Sequence, residues 1–236
     1  MKVLRRSVHG IVFAACSAYT VSALADAQAV FDGYRAYYRT LAQPVFLMSD
    51  ERPLRKATAP SGRVGPFWSG VSGPGGTRHT VEMLGADLVI DGRRLQADRV
   101  QKFPGAFASA LGDRATLYAN DDFVCVEGVA PSASGTASRH TQVTLVTQPY
   151  ARSASRFELP SLFASCLGLH RGEQGQVLFY QASYRYARGR DEADGVIFSE
   201  FALESGAFRK TDRTVYTTFV EAGNVYRFSV ASPTEK

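Results

Sequence analysis

Hydrophobic positions recur along this chain with two different periods. Between 27 and 42, Val30, Phe31, Tyr34, Tyr37, Tyr38 and Leu41 recur mostly at three- and four-residue steps. That is one face of an amphipathic helix, and it leaves Arg35 and Arg39 toward water. Gln43-Pro44 ends the pattern, because proline pushes the residue before it out of the helical region. From His79 onward the period falls to two. Near the C-terminus Tyr226, Phe228 and Val230 take one face while Arg227 and Ser229 take the other, as in a half-buried strand. Earlier, Leu178, Tyr180, Ala182, Tyr184 and Tyr186 share a face. Their opposite face starts apolar at Val177 and Phe179 and turns polar at Gln181, Ser183 and Arg185. That strand is expected to be buried on both sides at its start and more exposed at its end.

Turn residues separate these runs. Asp91-Gly92 suits a two-residue hairpin, since glycine tolerates a positive φ. Asn120-Asp121-Asp122, Gly189-Arg190-Asp191, Glu204-Ser205-Gly206 and Ala222-Gly223-Asn224 mark further short connections. Short connections make sequential strands antiparallel neighbours. The expected fold is mainly β: an antiparallel sandwich or open barrel with a C-terminal meander and one N-terminal amphipathic helix. Residues 51–78 show no apolar period and are rich in Gly, Pro, Ser and Arg, which reads as a long loop. The helix and loop (26–78) and the β region (79–236) are expected to form one structural unit.

The N-terminus reads as an export signal over residues 1–25. Lys2, Arg5 and Arg6 precede an uncharged, mostly apolar run from Ile11 to Leu24, and Ala23-Leu24-Ala25 offers small residues for cleavage. The run is too short to span ~30 Å of hydrocarbon as a helix, and no later segment matches it, so no transmembrane span is expected. Phe13-Ala14-Ala15-Cys16 resembles a lipobox. Phe13 stands where leucine is usual there, and the apolar run continues to a good Ala-x-Ala site, so ordinary cleavage is favoured over a lipid anchor at Cys16. The predicted location is periplasmic or secreted.

Processing changes the charge balance. The whole chain has 27 basic and 22 acidic residues, a net +5; without residues 1–25 it is 24 against 22, or +2. A nucleic-acid partner is therefore not indicated. Two cysteines remain, Cys125 and Cys166, and an even count in an oxidising compartment favours a disulfide between them. Such a bridge is worth at most ~4 kcal/mol by the chain-entropy estimate.

No motif names a reaction. Gly-x-Ser-x-Gly, Ser-x-x-Lys and His-Glu-x-x-His are all missing. His79, His140 and His170 lack metal-ligand spacing, so no metal or cofactor is expected. Gly73-Pro74-Gly75-Gly76-Thr77 lacks the lysine and helix start of a P-loop. Ser132, Ser134, Ser138 and His140, with Asp121 and Asp122 across the preceding strand, hold the ingredients of acyl transfer, but a polar loop joining two strands accounts for them better. Glu127, Glu158, Glu200 and Glu204 could supply a glycosidase pair, but nothing selects two of them. Phe67, Trp68 and Arg63 are residue types that anchor interfaces. The favoured expectation is a non-enzymatic, exported binding protein of the cell envelope that contacts another protein as an inhibitor, immunity-type or accessory factor. The alternative is an exported serine hydrolase using Ser134 and His140 with Asp122.

Overall fold

The computed structural model describes residues 28–54, 62, 65–95, 101–103, 106, 110–111, 114–131 and 133–230. The expected signal segment with Cys16 lies outside them, as do Arg55, Lys56, Arg63 and Ser132.

Strand β1 (Val30–Asp32) leads into helix α1 (Tyr34–Tyr38), and a first group of strands follows: β2 (Glu51–Pro53), β3 (Phe67–Ser72), β4 (Arg78–Leu84), β5 (Asp87–Ile90) and β6 (Arg93–Leu95). Next come β7 (Gln101–Lys102), β8 (Thr116–Ala119), β9 (Phe123–Gly128), β10 (Gln142–Thr147) and β11 (Ser155–Leu159). The chain closes with β12 (His170–Arg171), β13 (Val177–Tyr186), β14 (Ala193–Glu204), β15 (Ala207–Phe219) and β16 (Arg227–Val230). They form a curled sheet in the order β1-β16-β15-β14-β13-β12, a central sheet in the order β2-β8-β9-β10-β11-β7, and a small sheet in the order β3-β4-β5-β6.

Alternation along β9 explains how the sheets stack. Phe123 and Cys125 enter a large core with Phe179, Phe198 and Phe228 of the curled sheet. Val124 and Val126 enter a second core with Trp68, Val81, Leu88 and Ile90 of the small sheet. The central sheet is thus covered on both faces, and all of β9 is buried. The buried Arg156–Glu158 pair pins the small sheet down. Nε and Nη2 of Arg156 donate to Glu158 Oε1 at 3.0 and 2.7 Å, while Nη1 and Nη2 reach the carbonyls of Leu95 and Ala86 at 2.7 and 2.5 Å.

The C-terminal meander is present as expected, with β13 to β16 paired antiparallel in sequence order. The β5–β6 hairpin turns at Asp91-Gly92, both with positive φ (48° and 77°), the backbone a two-residue turn of this hand requires. Strand β13 is buried over Val177–Tyr180 and opens toward Tyr186, as its pattern implies.

Two expectations are corrected. The helix expected over 27–42 shrinks to five residues. Gly33, at φ 98°, breaks the backbone, and residues 30–32 pair with β16 instead, Val30 opposite Ser229. Ladder hydrogen bonds outweigh helix periodicity here. The same spacing still buries Tyr34, Tyr37 and Tyr38. The loop expected over 51–78 contains β2, paired with β8, and β3, paired with β4. The register of β3 shifts between Trp68 and Val71, so both residues reach the second core three positions apart and no period of two survives.

Candidate functional site

A cleft of about 360 Å³ opens where α1, the end of β9, the turn Gly135–Arg139 and the segment 163–165 converge. Its floor is aromatic. The Tyr34 ring lies between Phe163 (centroids 4.0 Å apart) and Phe228 (4.7 Å), and Tyr226 stands edge-on to Tyr34 at 6.3 Å and to Phe163 at 6.0 Å. These offset and edge-on arrangements are the ones favoured by aromatic quadrupoles. The floor's hydroxyls are tied inward: Tyr34 donates to the Val225 carbonyl at 2.8 Å and Tyr38 to the Phe163 carbonyl at 2.9 Å. Burial raises both phenols well above the ordinary tyrosine range, so they stay protonated.

Glu127 closes the base of the cleft. Oε1 accepts from Arg35 Nη1 at 3.0 Å and from the Tyr118 hydroxyl at 3.2 Å. Oε2 accepts from the Ser165 hydroxyl at 2.7 Å and the Cys166 N–H at 2.6 Å. Arg35 in turn donates to Glu51 and Tyr118. One carboxylate therefore clamps α1, β8, β9 and the 165–168 turn together. Ser165 also accepts from the Leu167 N–H at 3.2 Å, capping that turn. Cys125 and Cys166 form the expected disulfide, with Cα atoms 6.0 Å apart, and this adds a covalent tie from the central sheet to the same wall.

At the rim, Arg139 donates to the Tyr184 hydroxyl at 2.8 Å, and its own carbonyl accepts from the Phe163 N–H at 2.8 Å. Thr141, Tyr226 and Asp32 complete the mouth. The cleft thus offers an apolar floor, a committed carboxylate and one arginine with donors to spare. Such a set can hold a ligand by apolar contact and a charge-assisted hydrogen bond.

The residues singled out from sequence fall elsewhere. Asp122 and His140 flank opposite ends of the β9–β10 pair, where Phe123 faces Thr147 and Gly128 faces Gln142. At ~3.3 Å per residue that separation is about 20 Å. Asp122 pairs with Arg171 at 3.5 Å, and Ser134 is exposed at the start of the 135–139 turn. His140 does meet a serine: Nδ1 lies 2.9 Å from the hydroxyl of Ser161, on an exposed surface. Among the described residues no carboxylate pairs with that ring.

The acids do not converge either. Glu127 faces the large core, whereas Glu158 shares the opposite face of the central sheet with Thr144. Glu200 belongs to the curled sheet, 3.8 Å from His170, and Glu204 is exposed at the β14–β15 turn. Phe67 and Trp68 are strand residues only 8% and 5% exposed, and the Trp68 indole donates to the Arg52 carbonyl at 3.1 Å. Trp68 lines the second core, and Phe67 is buried beside it in β3. His79 is held by Asp91 at 2.6 Å and stacks on Tyr150 at 3.9 Å. No group of three or more His, Cys, Asp or Glu residues among those described is arranged to hold a metal ion.

Compared with known proteins, the chain matches no family model, no curated protein and no solved structure. The cleft's main members, Arg35, Arg139 and Tyr226, carried no motif, and Glu127 stood out only as one acid among several. Three of Glu127's four partners lie 38 to 92 positions away, and the side-chain partner of Arg139 lies 45 away.

Proposed function

We propose that this is an exported, non-enzymatic binding protein of the cell envelope, and that it receives a segment of a protein partner in the cleft between α1 and the 135–141 segment. The observation that carries this reading is the division of labour inside the cleft. Its buried carboxylate and tyrosine hydroxyls are all engaged within the protein, while its aromatic floor and arginine rim face the opening. Apolar lining with a few placed polar groups is the composition of a recognition site. Export is supported by the basic, then apolar, then small-residue order of residues 1–25, and a disulfide is compatible with an oxidising compartment. No helix among the described residues is long and apolar enough to cross a membrane.

The test is site-specific crosslinking in the native envelope. A photoreactive phenylalanine analogue replaces Tyr226 at the cleft mouth or, as a control, Arg94 on the exposed side of β6. A discrete adduct from position 226 alone is expected. Adducts from position 94 and none from 226 would move the binding surface to the small sheet and overturn the assignment.

A further inference from the structure

Two arginines line the cleft, and they differ. Arg35 has a carboxylate partner in Glu51 and another in Glu127. Among the described residues Arg139 has none, although it is partly buried and held in place. One Nη1 hydrogen is used on the Tyr184 hydroxyl, and Tyr184 is itself packed edge-on against Phe163 at 5.7 Å. A guanidinium has five N–H donors in a rigid fork, so a planar set remains for an acceptor from outside. Holding the fork in advance lowers the ordering cost of binding.

We propose that Arg139 receives a carboxylate of a polypeptide ligand, whose neighbouring apolar side chain lies on the Tyr34–Phe163–Tyr226 floor. This rests on the reading of the cleft as the binding site. The charges around the mouth set the ligand's valence. Glu127 sits at the base and Asp32 at the rim, the latter 3.5 Å from Arg227. Arg35 offsets Glu127 and Arg227 offsets Asp32, which leaves Arg139 as the cation to be balanced; a single carboxylate balances it and matches its fork, whereas a dianionic phosphate would leave one negative charge over. A volume of about 360 Å³ lies at the small end for a ligand site and suits one or two residues rather than a folded surface.

The source of the carboxylate, a chain terminus or an acidic side chain, is separated by three probes. The disulfide-intact protein is titrated calorimetrically with acetyl-Ala-Phe bearing a free terminus, acetyl-Asp-Phe-amide and acetyl-Ala-Phe-amide. At least one of the two acids is expected to bind about tenfold more tightly than the neutral amide, the scale of one charge-assisted contact. The tighter acid names the source. Arg139→Gln, checked for an unchanged melting temperature, should bring the acids down to the amide; Arg139→Lys, which keeps the charge and loses the fork, should fall between. Equal binding of all three probes, or acid binding that survives Arg139→Gln, overturns the proposal. Failure of every probe to bind, with the position-226 crosslink intact, also overturns the carboxylate inference and leaves the cleft reading standing.

Discussion

Glu127→Gln should unfold this protein more easily than any surface change, and the size of the effect can be worked out from the clamp. The carboxylate accepts from four donors, two on each oxygen, and its side chain is 6% exposed. The amide has the same shape but only one acceptor oxygen. Two donors must therefore face an NH₂ group that cannot accept. Each hydrogen bond to a charged group is worth roughly 1.5–3 kcal/mol, and breaking one side of a buried pair costs about 3–5 kcal/mol. The Arg35 side chain is 44% exposed and can regain water, so the lower end applies, about 3 kcal/mol. For a chain of this size that lowers the melting temperature by roughly 6–12 °C.

Urea unfolding of the oxidised protein, followed by far-UV circular dichroism, measures the loss. Native-state hydrogen exchange adds a local readout: the Cys166 amide, bonded to Oε2 at 2.6 Å, should lose protection ahead of the β9 and β10 amides. Arg35→Gln alone should cost about 1 kcal/mol, because that side chain is half solvated. The double variant should cost less than the sum of the two, since they share a contact. A loss below about 1 kcal/mol for Glu127→Gln, or strict additivity with Arg35→Gln, would refute the clamp as the organiser of the cleft.

Intact mass of protein from the envelope should place the first residue at Asp26, or near Val30 if Ala27-Gln28-Ala29 is cut instead; an acylated Cys16 would install the lipoprotein. Burial lowers the pKa of His170 despite the nearby Glu200, so the folded protein favours the neutral ring. Its contribution is complete above the unfolded value of ~6.5 and is lost as pH falls from there through the lower folded value, a slope that His170→Asn should abolish in urea titrations across that window. A Cβ at Gly195 would collide with the Thr217 carbonyl oxygen, so Gly195→Ala must push β15 away from β14 and should cost about 1–3 kcal/mol in the same assay; a neutral result would show that the two strands can separate there freely. A fluorophosphonate probe should leave Ser161 and Ser134 unlabelled, whereas labelling of Ser161 that disappears in His140→Ala would establish a hydrolase.

What could be read from the chain and what could not divide along a physical line. Strands β13 to β16 were legible because β-branched and aromatic residues fill them and turn residues close each gap; sequence neighbours there are spatial neighbours. The disulfide was legible because only two cysteines remain once an export signal is set aside. The N-terminal helix was legible but its length was not, because the period holds for burial and not for backbone: Phe31, Tyr34 and Tyr38 all reach the large core, and Gly33 lets the chain change from ladder to helix between them. Strand β3 was hidden by its own bulge. The cleft was out of reach for a stronger reason, since its working contacts join positions 35 with 127, 139 with 184 and 127 with 166. Closeness in sequence pointed the opposite way. Asp122 and His140 are 18 positions apart, yet β9 lies between them and carries the two to opposite ends of the β9–β10 pair, while His140 finds Ser161 because both adjoin the paired ends of β10 and β11. Residues that bracket one whole strand stand about a strand's length apart, however close their numbers. The Ser134–His140 segment, which Asp122 does not reach, instead walls the cleft through Ser138 and Arg139.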